Sequence, residues 1–100
     1  MADINLATAE PVAEPKEAGD FFALGMRCSV GIDVAVDLVE AHKWFNIAAM
    51  RGHQDGARLR REIAEQMSDS QIGCAQRAAR DWLKAHPLPP MSRPVIQVAA

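Results

Sequence analysis

The sequence predicts an all-α chain of about four helices, the first two forming an antiparallel hairpin. Three observations point that way. Apolar residues recur at spacings of three and four in four successive stretches. Capping or breaking residues bound those stretches. The short run Gly31-Ile32-Asp33-Val34-Ala35-Val36 has no second strand to pair with, so it reads as a loop with Val34 and Val36 plugging the core.

The clearest element is the second helix, Asp37 to Gly52. Leu38, Ala41, Phe45 and Ala48 lie on one stripe, which Trp44 and Ala49 widen. Asp37 is an N-cap, and Glu40 three residues on suits a capping box. Gly52 can take the left-handed conformation that closes the helix, with Arg51 placed favourably against its dipole. The first helix starts between Ala18 and Asp20. It carries two adjacent stripes, Phe21-Leu24-Cys28 and Phe22-Met26, as a helix with two neighbours would. Gly31 ends it.

The third helix runs from Gln54 or Asp55 to Met67, with Leu59, Ile63 and Met67 inward and Ala64 in support. Its outer face pairs Arg58 with Glu62 and Arg61 with Glu65, each four residues apart. Ser68 and Gln71 form a second capping box. The fourth helix then places Ile72, Ala75, Ala79, Trp82 and Leu83 on one face, with Arg77, Arg80, Asp81 and Lys84 towards water, until Pro87 stops it. The expected organisation is a disordered lead-in at 1–19, a helical domain at 20–86 and a proline-rich extended tail at 87–100.

The totals narrow the function. One hundred residues hold at most one small domain. Hydrophobic residues reach 49%, but aromatics only 5%, so the core is thin and rich in alanine. A net charge of -2 argues against a dedicated nucleic-acid binder, which usually carries a basic excess. Cys28 and Cys74 are too few for a secreted disulfide scaffold. The N-terminus lacks a signal-peptide pattern and no run spans a membrane, so a cytoplasmic location is expected.

Leu24, Gly25, Gly31, Val34, Asp37, Ala41, Trp44, Phe45, Ala48, Ala49 and Gly52 together resemble the Sel-like repeat, a relative of the tetratricopeptide repeat. The likeness spans about residues 20–57, one whole repeat. Cys28 stands where that family usually has an aromatic, Asp33 replaces a loop glycine, and Gly56 takes a common alanine position. The third helix looks like the start of a degenerate second repeat, so a long solenoid is excluded. The resemblance implies a helical-hairpin scaffold, an adaptor that binds another protein. Its motif residues hold the fold and do no chemistry.

From the residues themselves, Gly25 lets the first helix pack closely on small residues such as Ala41 and Ala48. The resemblance implies that a single repeat, without neighbours, leaves a face uncovered. Phe22, Met26 and Arg27 on the first helix, with Arg58 and Arg61 on the third, are the expected partner-binding residues. A second copy of the chain is the alternative occupant. The runner-up function is a small regulatory subunit or nucleic-acid-associated factor using the arginine face of the third helix. Glu62 and Glu65 offset that charge, and no stacking aromatics interleave with it, so nucleic acid is the less favoured ligand.

No catalytic, cofactor-binding or metal-binding residues are expected. His42 and His53 with Cys28 and Asp37 fit no closed zinc spacing, and His42 falls on the polar side of its helix. Cys28 occupies a core-facing slot rather than a nucleophile's setting.

Overall fold

A computed structural model describes residues 14–90. The expected lead-in up to residue 13 and the tail from 91 onward lie outside the described residues. Four helices follow one another: α1 (Ala18–Val30), α2 (Leu38–Met50), α3 (Gln54–Ala64) and α4 (Asp69–Ala85), with no strand among the described residues. The chain is all-α.

Each helix starts where a side chain takes up its free amides. The Asp20 carboxylate accepts from the amides of Lys16 and Glu17, both at 3.0 Å, and these hydrogen bonds hold its pKa below the ordinary aspartate value. Asp37 accepts from the Glu40 amide at 3.0 Å. Ser68 and Gln71 bond reciprocally, side chain to backbone, at 3.1 and 2.8 Å. At α3 the cap is a histidine: His53 Nδ1 accepts from the Gly56 amide at 3.0 Å. Gly31 and Gly52 close α1 and α2 with φ of 80° and 96°, a region that suits glycine. Asp33 also has a positive φ of 62°, which aspartate tolerates better than most residues.

The expected capping box at Asp37 does not form. The Asp37 amide donates instead to the Cys28 carbonyl at 2.9 Å, tying the two ends of the loop, and Glu40 pairs with Lys43 at 3.0 Å. That loop tie sets the hairpin register. From it α1 and α2 run antiparallel, so that Phe21, near the start of α1, packs against Ile47 and Ala48, near the end of α2.

Gly25 has a different neighbour from the one expected. A Cβ there would lie 2.5 Å from the Phe45 ring, so its absence makes room for a large aromatic rather than for Ala41 or Ala48. Phe45 is fully buried as a result.

Helix α2 packs against all three others. On one side Phe21, Ile47, Ala48 and Ala79 form a core joined by Trp44, Trp82, Leu83 and Leu88. Phe21 stacks on Trp44 with ring centres 6.0 Å apart, and both meet the edge or face of Trp82 at 5.5 and 5.4 Å. On the other side Ala41, Phe45 and Ile63 form a core with Phe22, Met26, Leu59 and Met67 around it.

Two expectations fail, the first because α2 is covered on more sides than an amphipathic pattern assumes. His42 is not on a polar face: it is 3% exposed, and its Nδ1 is buried with no hydrogen-bond partner among the described residues. Val34 and Val36 do not plug the core. They are 43% and 59% exposed, in the loop whose end the Asp37 amide ties to Cys28.

Candidate interaction surface

The residues expected to bind a partner lie on two helices, α1 and α3. Phe22 and Met26 are half-buried, as anticipated, and the second core is what they pack against. The Phe22 ring lies 5.6 Å from Phe45 and stacks on His53 at 4.3 Å. It therefore fixes the start of α3. Arg27 is exposed on α1, and Arg58 and Arg61 are exposed on α3. Arg58 reaches Asp55 and Glu62, each at 3.3 Å, which offsets its charge within its own helix. Arg61 and Glu65 form no ion pair.

The opening that the fold does leave lies between α2 and α4. Ala75 and Ala79 are small and buried, so α4 approaches α2 closely along that line. Beyond it the two helices part around a recess of about 510 Å³. Its apolar floor is Met50, Ala79 and Leu83; its polar edge is Asn46, Gln76, Arg80 and Lys84. Met50 is 56% exposed, so a large thioether side chain borders water here. Arg80 and Lys84 are exposed and four residues apart, which puts both cations on one edge. Neither pairs with a carboxylate among the described residues.

Asn46 is held from behind. Arg60 Nη1 donates to its Oδ1 at 2.6 Å. A guanidinium only donates, so the oxygen must face Arg60. Sequence reasoning missed this site. Its signal was visible as Gln76, Arg80, Leu83 and Lys84 at helical spacing, with Asp81 beside them outside the lining, but their relation to Met50 depends on how α4 crosses α2.

A second recess of about 470 Å³ lies where the two described ends meet, walled by Glu14, Lys16, Trp82, His86 and Leu88. His86 stacks on Trp82 at 4.2 Å and lies 3.9 Å from Glu14. Its walls carry both signs of charge and select no one ligand chemistry.

The histidines and cysteines are dispersed. His53 caps a helix, and His42 is buried with its pKa lowered by desolvation first and by the charge of Arg60 second. Cys28 is half-buried; burial, then Glu40 and Asp37, push its thiol above the ordinary value of 9.0, away from the thiolate a nucleophile needs. Cys74 is exposed. Among the described residues no three of His, Cys, Asp and Glu gather at one point, and no helix is long and apolar enough to cross a membrane.

Compared with models of protein families, with curated proteins and with solved structures, the chain matches none.

Proposed function

We propose that this chain is a non-catalytic protein-interaction module of Sel-like repeat type, an adaptor that makes contact through the α2–α4 face. The observation that carries this reading is the recess itself: an aliphatic floor beside side-chain amides and two cations that pair with no carboxylate among the described residues, walled by two helices that the aromatic core fixes in place. Such a lining supplies contact area and directed hydrogen bonds. The repeat-type reading is supported by where its motif positions sit. Gly25 admits Phe45, Gly31 and Gly52 take the left-handed turns, Asp37 caps α2, and Ala41 and Ala48 are buried. A cytoplasmic location goes with that reading.

The alternative, a regulatory or nucleic-acid-associated factor using the α3 arginines, has weaker support. Arg58 is already engaged by two carboxylates and Arg60 by Asn46.

The test is affinity capture from the source cell with the wild-type chain and with Met50→Glu, a change at an exposed position that leaves the core intact. A partner held by the wild type and lost from the variant is the expected result. A partner held equally by both would move the contact elsewhere. A salt-sensitive shift of DNA or RNA with no protein captured would favour the arginine-face alternative.

A further inference from the structure

We infer that the α2–α4 recess takes an extended acidic segment of a partner protein, with one aliphatic side chain seated over Met50 and Leu83 between flanking carboxylates. This rests on the reading of the chain as an interaction module and goes further by naming the ligand's chemistry.

Three features select it. The first is the polarity of the hydrogen-bonding groups. Arg80 and Lys84 only donate, while Asn46, whose oxygen already accepts from Arg60, and Gln76 can each donate or accept. The charged donors favour a ligand rich in acceptors. The second is charge: Arg80 and Lys84 are the charged residues of the lining, both positive, and neither is neutralised by a neighbouring carboxylate among the described residues. Carboxylates at the edge would gain charge-assisted hydrogen bonds that neutral partners would not. The third is the floor. Met50, Ala79 and Leu83 reward an aliphatic side chain, and Met50 adapts its shape readily.

The length of the wall suits a short extended segment. From Gln76 to Lys84 the wall rises roughly 12 Å at 1.5 Å per residue. That matches roughly three or four residues of extended chain at about 3.3 Å each. The side-chain amides of Asn46 and Gln76 can pair with the free carbonyls and amides of an extended backbone, which a helix would have satisfied internally. Nucleic acid offers anions too, but its bases would find no aromatic side chain in this lining to stack on.

The experiment is fluorescence anisotropy with the full chain and a labelled pentapeptide, a central leucine flanked on each side by two glutamates. The expected result is saturable binding that weakens at least about tenfold in the double variant R80E/K84E, and weakens as salt shortens the Debye length from roughly 30 Å to roughly 3 Å. Replacing the peptide's glutamates with glutamines, or its leucine with glycine, should each reduce affinity. Arg80 and Lys84 are exposed, and circular dichroism of the variant checks that the helices persist.

Equal affinity in wild type and double variant would overturn the inference. So would an absence of peptide binding, or tighter binding of an oligothymidylate of equal charge. If the peptide fails while Met50→Glu still abolishes capture of a partner, the acidic chemistry falls and the interaction reading stands. If no partner is captured and the peptide also fails, both fall.

Discussion

The least expected residue is His42. A buried imidazole nitrogen without a partner costs on the order of 1–3 kcal/mol, and burial together with Arg60 holds its pKa below the ordinary 6.5. The sign follows directly. Above that value neither folded nor unfolded chain carries a proton there. As pH falls through 6.5 the unfolded chain takes one and the folded chain resists, so stability is lost until the lower folded pKa is reached. His42→Leu should be at least as stable as wild type at neutral pH, and its advantage should grow between about pH 7.5 and about pH 5. Urea titrations at several pH values measure the difference; a constant gap would mean that His42 titrates alike in the folded and unfolded chain. The sequence pattern hid this residue for a physical reason. A two-sided amphipathic pattern assigns a polar side chain to water, but α2 is packed on three sides, and the sector holding His42 is one of them. His53 was hidden differently: an imidazole capping a helix lies outside the Ser/Thr/Asp/Asn pattern by which N-caps are recognised.

At the scale of elements the helices were legible because their ends are chemically marked. Asp37 and the Ser68–Gln71 pair sit at observed caps, and Gly31 and Gly52 sit at observed closures. Contacts between elements were less legible, since they depend on which side chain fills which gap. The Gly25–Phe45 contact shows it. Alanine is the better helix former by about 1 kcal/mol. A methyl at Gly25 would nonetheless meet the Phe45 ring at 2.5 Å inside a fully buried core. Gly25→Ala should therefore destabilise the chain by about 1–3 kcal/mol, an overpacking cost that exceeds the propensity gain. Thermal or chemical denaturation reads this directly; a rise in stability would show that α1 and α2 are not nested at this point.

At the scale of the molecule, two aromatic groups hold one central helix. Phe21, Trp44 and Trp82 join α1, α2 and α4, while Phe22, Phe45 and His53 join α1, α2 and the start of α3. The pair Trp44–Phe45 could be read from the chain as the centre of the fold. That the two rings face different cores could not, because adjacent helical residues point about 100° apart and only the crossing helices show what each one meets. The recess belongs to the same class of property. Its residues come from two helices that are not consecutive, so no single stretch displays it.

Hydrogen–deuterium exchange on the chain, alone and bound to a captured partner, tests that placement most directly. Slowed exchange is expected around Asn46–Met50 and Gln76–Lys84, with the α1 and α3 faces carrying Arg27, Arg58 and Arg61 unchanged. Slowing confined to those arginine-bearing faces, with α4 left as it was, would contradict it.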